Sequence, residues 1–359
     1  MSTFSIIISV LILAAVLLFA SCKQFSGTVN KDLSDNYYYN RDKSAIQYSP
    51  MGNWFELGNT KMEADVASFE VLGRDYGKDK DKVYFKSVDI TGEVDYATFR
   101  VDDDYFVYDH KHVYIPYDYM PYSLYEDTNP TKELFLIEGA DPSTFETIDY
   151  DWNKDDKHYF YNCQLVDVDY ASFEILNEVA SKDKNKVYLH RTKEIITSTI
   201  DVASAKALDK HYIVDKNTLY SYSGWEEDSA KAMITIPVKD ARTIQLLKDD
   251  YLLVDDAVYY ENVLMPKADR ATFKLWKDTY YGVDKAHIYY LGTAMEGVDL
   301  ETFHVYDFQA YAKDKNNAFY DGKVMEGVDL ATFGPKHEDG FGLFKDKNHI
   351  YRGAEIVTD

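Results

Sequence analysis

Oxygen-bearing side chains two residues apart recur along this chain of 359 residues, as in Asp79-Lys80-Asp81 and Asp314-Lys315-Asn316. That spacing is used by calcium loops, which set carboxylate and carbonyl oxygens around a hard cation. Here, however, the loops run straight into apolar residues, with neither the glycine expected at the sixth position nor the glutamate at the twelfth. The simpler expectation is that each Asp accepts hydrogen bonds inside its own turn while the Lys is solvated, with no metal and no other cofactor. The 33 tyrosines raise a second chemistry, stacking on sugar rings. Most recur in phase with a repeat, which reads as a structural ladder along strands. The out-of-phase aromatics are the candidates for binding: Tyr117, Tyr119, Tyr122 and Tyr125 in one insertion and Trp225 in another.

No catalytic constellation stands out. The nine histidines are scattered, and His-Glu-x-x-His, Gly-x-Ser-x-Gly, a phosphate loop and Cys-x-x-Cys are all missing. His112, His158, His287 and His349 stand at the entry to an aromatic run and read as turn-adjacent strand residues. No catalytic residue is assigned. Acids are so frequent that the sequence singles out no glycosidase-like pair. Of the two cysteines, Cys163 reads as a small buried strand residue with no basic cluster to activate it.

The elements that must position these residues are repeats. Asp-x-Ala/Glu-Ser/Thr-Phe occurs as Asp65–Phe69, Asp95–Phe99, Asp169–Phe173, Asp269–Phe273, Asp299–Phe303 and Asp329–Phe333, with Asp141-Pro-Ser-Thr-Phe145 a close variant. Degraded copies start at Asp201 and Asp240. Successive copies lie 28 to 32 residues apart, except for intervals of 46 after Asp95 and 39 after Asp201. A uniform scaffold with two insertions, near 116–130 and 221–236, explains that pattern. A second motif keeps step: Asp-Lys, then a β-branched or aromatic run, at Asp79, Asp183, Asp215, Asp284, Asp314 and Asp346, with weaker versions at Asp109, Asp155 and Asp255.

Within one unit, Tyr311–Asp314 and Ala318–Tyr320 are strand formers around the turn residues Lys315-Asn-Asn317, which makes a hairpin. A further short strand falls at Val324-Met325. Asp329 then caps one helical turn by accepting the N–H of Thr332, and the closing Phe points inward. The expected fold is all-β, built of stacked hairpin units of about 30 residues in a solenoid-like or curved array, with single helical turns at the joints. Two or three strands per unit, about nine units and a leading partial unit are expected. A β-propeller is the alternative.

The first 21 residues carry no ionisable side chain, and Ile6 to Ala20 is almost unbroken apolar sequence, the mark of an export signal. Leu18-Phe-Ala-Ser-Cys22 resembles the lipobox of bacterial lipoproteins, which implies a lipid on Cys22. Residues 1–21 are therefore expected to be a lipoprotein signal peptide, 22–36 a linker and 37–359 the repeats. An uncleaved anchor and a plainly cleaved signal are the alternatives, and all three place the body outside the cytoplasm. A net charge of −23 would repel nucleic acid and anionic headgroups, so the expected partners are the membrane, through the lipid, and a protein or glycan.

Asp314-Lys-Asn-Asn-Ala-Phe-Tyr320, Asp183-Lys-Asn-Lys-Val-Tyr188 and Asp346-Lys-Asn-His-Ile-Tyr351 resemble the DKNYY family of bacterial envelope proteins. The resemblance covers nearly the whole chain after the leader. It implies an envelope context and carries no catalytic residues over. The expected function is a non-enzymatic, membrane-anchored scaffold or binding module. The alternative from another class is an extracytoplasmic hydrolase acting on glycans with a carboxylate pair.

Overall fold

Short β-forming segments separated by turn residues cannot make long strands, and the structure, a computed structural model, has none among its described residues. It describes residues 25–50, 58–103, 105–121, 131–191, 195–222, 232–248, 250–276, 280–306, 310–336 and 342–357. Among these, ten four-stranded antiparallel sheets follow one another, each with its strands in sequence order. The strands are only two to five residues long, which is why four fit where two or three were expected. Hydrogen-bonded pairs of two residues carry no alternation that a sequence window can detect.

Sheet nine, residues 304–325, is representative. Its central hairpin pairs Tyr311 with Tyr320 and Lys313 with Ala318 around the turn 314–317. His304–Val305 and Lys323–Met325 add the outer strands. The third and fourth strands meet in a two-residue turn with both residues at positive φ: Asp321 at 47° and Gly322 at 73°. Gly322 is required there twice over, because a Cβ would also stand 2.7 Å from the Cβ of Tyr290 in the preceding sheet. Cys163 occupies the corresponding position of sheet four at φ 62°, so it lies in a turn and not in a strand. It is buried, and burial pushes its thiol up to about 12.

The leading partial unit is a complete sheet. Phe25–Thr28 is its first strand, pairing with Tyr37–Asn40, so the stretch expected to be a linker already carries structure, with Phe25 buried. The joints are tight turns. Two of them, Tyr170–Ser172 and Ala241–Thr243, are single 3-10 turns.

The chain divides into two compact units, residues 1–173 with 191–196 and residues 174–190 with 197–359. In each, the core is shared between neighbouring sheets. In the first unit, Tyr76, Val83, Phe85 and Ile90 of sheet two (70–89) and the joint that follows it pack with Phe99 and with Val107, Tyr114 and Leu134 of sheet three (100–137). In the second, Tyr281, Val283, Ile288 and Met295 of sheet eight (274–294) and the residue after it pack with Phe303, Ala312 and Phe319 of sheet nine.

The joint Phe is the common element of these cores. Its ring sits 5.5 Å from Tyr251 at Phe273, 5.5 Å from Tyr281 at Phe303 and 6.3 Å from Tyr311 at Phe333, always on the preceding sheet. On its other side the sheet that follows supplies Tyr289, Phe319 or Tyr351 at 5.9 to 6.0 Å. No sheet covers its own aromatic face, and the neighbour's ring is what excludes water. Phe303→Ala is expected to cost about 3–5 kcal/mol, because the site is walled on both sides and cannot collapse. Val263→Ala, on a residue 68% exposed, should change the unfolding free energy read from urea titration by less than about 0.5 kcal/mol. Equal effects of the two would contradict the shared core.

Candidate functional site

The two sequence motifs meet in space and form one polar latch, repeated along the chain. At Asp284, Oδ1 accepts the backbone N–H of Ala286 at 2.8 Å and of His287 at 2.7 Å, closing the hairpin turn. Oδ2 accepts the hydroxyl of Tyr289 at 2.9 Å and the N–H of Asp269 at 2.8 Å, the first residue of the preceding joint. Asp79 repeats this arrangement with Asp81, Lys82, Tyr84 and Asp65. Asp346 repeats it with Asn348, His349, Tyr351 and Asp329. Asp109 and Asp215 do the same with their own neighbours.

The joint answers the turn. Asp269 Oδ1 accepts the N–H and hydroxyl of Thr272, and Thr272 Oγ1 accepts the N–H of Lys285 at 3.1 Å. The Lys285 ammonium then reaches Asp269 Oδ2 at 2.5 Å. Lys80, Lys216, Lys315 and Lys347 pair with Asp65, Asp201, Asp299 and Asp329 in the same way, at 3.5, 3.2, 2.6 and 2.8 Å. Where a Lys directly follows the turn Asp in these copies it is therefore an ion-pair partner and not merely solvated, although the pairs are exposed and each contributes at most about 1 kcal/mol.

The turn carboxylates are buried without a cation on them, so donors must compensate. Burial pushes Asp109 up, but the N–H groups of Lys111, Asp95 and His112 and the hydroxyl of Tyr114 overcome that and hold it at about 2. Asp346 stands at about 2 for the same reason. Conversely, burial and the neighbouring carboxylate push the Tyr351 hydroxyl up to about 12. Four donors on two oxygens fill the lone-pair sites that a cation would need. Among the described residues no three His, Cys, Asp or Glu side chains are grouped to hold a metal ion.

Three copies depart from the rule. Asp155 and Asp314 face Phe160 and Phe319 where the others face a tyrosine, so the phenolic donor is missing there. At Asp155, Nδ1 of His158 stands 3.3 Å from Oδ2 in its place. Asp255 closes a two-residue turn and accepts Lys239 N–H, Asp240 N–H and the Thr243 hydroxyl instead.

Of the aromatics expected to bind, Tyr117 and Tyr119 lie in the 3-10 turn Tyr117–Tyr119 after Pro116. Tyr119 donates its hydroxyl to Asp75, which also accepts from Tyr48 and Asn36, and its ring meets Phe85 at 6.1 Å. Tyr117 is half-buried and stands 6.2 Å from Phe135. Both thus help seat the insertion on the scaffold. Cys22, Tyr122, Tyr125 and Trp225 lie outside the described residues. Sequence reasoning passed over an open groove of about 650 Å3 between the turns at Asp109 and Asp155, lined by His110, Lys111, His112, Lys157 and His158. The available signal was the loss of Lys-Asn order in those two copies.

Asp284→Ala strips the partner from four donors at once and is expected to cost about 3 kcal/mol or more, whereas Tyr289→Phe costs about 1 and Lys285→Gln less. Urea midpoints in that order check the latch, and a Lys285 effect as large as that of Asp284 would refute it. The turn acids are lowered by folding, so their contribution is complete above about pH 4 and is lost as pH falls toward about 2. The tyrosines are raised, so theirs is complete below about pH 10 and is lost as pH climbs past 12. A midpoint already falling between about pH 7 and 5 would contradict this assignment.

Comparison with known proteins places these motifs in a family. The model of the DKNYY family matches residues 54–192, 89–224, 153–293, 191–319 and 229–355, overlapping windows that run through most of the chain. No curated protein and no solved structure matches it. With its repeated turn motif and five matches across the chain, this protein belongs to the DKNYY family.

Proposed function

We propose that the chain is a lipid-anchored, extracytoplasmic protein of the cell envelope whose repeat array is a non-enzymatic scaffold that binds a protein or glycan partner. The observation that carries the reading is the saturation of the latches. The residues that recur, and could have formed a recurrent active site, spend their oxygens on backbone donors and tyrosine hydroxyls. Carboxylates held low by such donors are poor general acids, which counts against a hydrolase built on them. What remains for recognition is what differs between repeats: the insertions and the turns that break the pattern.

The leader supports the location. Its apolar run ends in Leu18-Phe-Ala-Ser-Cys22, and a diacylglycerol on Cys22 would anchor the acidic body by acyl burial. The charge of −23 favours partners that are neutral or basic, or that meet a local exception in the field.

One experiment addresses both halves. Intact cells expressing the natural chain, Cys22→Ala, or a deletion of 122–129 that spares Tyr119 are crosslinked, fractionated and analysed for captured molecules. Cys22→Ala is expected to leave the membrane fraction, and the deletion to lose a captured partner. Undiminished membrane retention defeats the lipid anchor, and identical captures defeat the first insertion as a binding element.

A further inference from the structure

Very little chain separates the lipid proposed on Cys22 from the first strand of the array. That strand is Phe25–Thr28, and only Lys23 and Gln24 stand between it and Cys22. The fully extended chain from Cys22 to Phe25 spans at most about 11 Å. Phe25 is itself tied down: it is buried, pairs with Asn40 and stacks on Tyr38 at 4.6 Å. A diacylglycerol on Cys22 therefore holds sheet one (25–61) at the headgroups, where a longer linker would let it move away.

Sheet one has two ends, and the tether enters at one of them. Asn40, the partner of Phe25, opens the turn to the third strand. That turn is closed by the Lys43 N–H on the Asn40 carbonyl at 3.0 Å and by the Ser44 N–H and hydroxyl on Asp42 Oδ1. The Met62 N–H donates to the Ile46 carbonyl at 2.9 Å, so the fourth strand leaves toward this end and carries the exposed Glu63 there. The loop 29–36, with exposed Lys31, makes the opposite end, beyond the strand's rise of about 10 Å.

The first insertion belongs to that opposite end. Tyr119 donates its hydroxyl to Asp75, which also accepts from Tyr48 at 2.6 Å and from Asn36 at 2.7 Å, and Asn36 is where the loop 29–36 runs into the second strand. Asp118 pairs with Lys86, whose carbonyl accepts the Tyr37 hydroxyl at 3.0 Å. Sheets one to three of this unit thus place Tyr117–Tyr119 on the side away from the tether. The charges suit the same arrangement. Residues 22–61 hold five Lys or Arg and four Asp or Glu, so with an uncharged leader residues 62–359 carry −24 of the net −23. Sheet one has none of the net acidity that would hold the chain off a membrane. At its tether end the exposed Arg41 and Lys43 are mixed with the exposed Asp42 and Glu63. That mixture suits zwitterionic headgroups, with cations on the phosphate and carboxylates on the ammonium.

We propose that the tether end of sheet one, centred on the turn 41–44, rests on zwitterionic lipid headgroups, and that the first insertion is thereby displayed on the side facing away from the bilayer. The inference rests on the lipid-anchor reading and adds to it the surface that meets the membrane and the direction in which the insertion is presented.

The test uses the full lipidated chain on vesicles of phosphatidylethanolamine and phosphatidylcholine, with its lysines acetylated briefly and the products read by mass spectrometry. The reference is the same chain with a Gly/Ser stretch of about twelve residues inserted between Lys23 and Gln24, which gives the tether about 20 Å more reach. Lys43 is expected to react about fivefold or more slowly in the natural chain than in the lengthened one, while Lys31 and Lys132 agree within about twofold between the two. Equal rates at Lys43 overturn the assignment, as does slowing of Lys31 or Lys132 alongside Lys43 or in its place. The mass of the N-terminal peptide reads the anchor separately. Diacylglycerol on Cys22 with Lys43 fully reactive removes this orientation and keeps the anchor, whereas an unmodified Cys22 removes both.

Discussion

A carboxylate removed from water must be given donors, and in this protein that requirement ties each hairpin to the joint before it. Three of the four donors on Asp284 come from its own turn and strand, but the fourth is the N–H of Asp269, fifteen residues earlier. The turn cannot satisfy its buried charge until the preceding joint is in place, so local hairpin formation and docking of neighbours become one event. The strands themselves, two to five residues long, are too short to hold a sheet together alone.

The apolar side of the design obeys the same logic. The joint that donates its N–H to the turn Asp also delivers the Phe that lies between the tyrosine of one sheet and the aromatic ring of the next. One five-residue motif therefore supplies a hydrogen-bond donor for the latch and the central ring of the core. The Ser or Thr between them is committed as well, since its hydroxyl donates to the joint Asp and accepts the N–H after the turn Asp. The Asp, the Ser or Thr and the Phe of the motif each have an assigned partner, which explains their regularity without invoking a ligand. Departures from it are then the informative places: lysines displaced from their ion pairs at 111 and 157, and Phe160 where a latch tyrosine is expected.

Much of the unit was legible because its residues act locally. Asp314-Lys-Asn-Asn317 reads as a turn since Asp and Asn side chains bond to backbone two and three residues on. The joint cap at Asp269–Thr272 has the same sequence signature. The outer strands were not legible, because pairs such as Thr293–Ala294 have no period to read. Nor was the link between motifs, whose acceptor is an Asp but whose donor is a backbone N–H that any residue but proline provides. Tyr119 had looked like a free aromatic in an insertion. Its partner Asp75 lies 44 residues away, a contact with no local trace.

The sequence by itself determined the repeat, the β class, the turns and the inward Phe, since these follow from side chains acting on their own few residues of backbone and from a period that recurs. Only the tertiary structure decided which carboxylates are buried and who neutralises them, that the first sheet is whole, and that two irregular turns face one groove. Those outcomes depend on distances between segments, and burial converts each such distance into a charge that must be matched or left free.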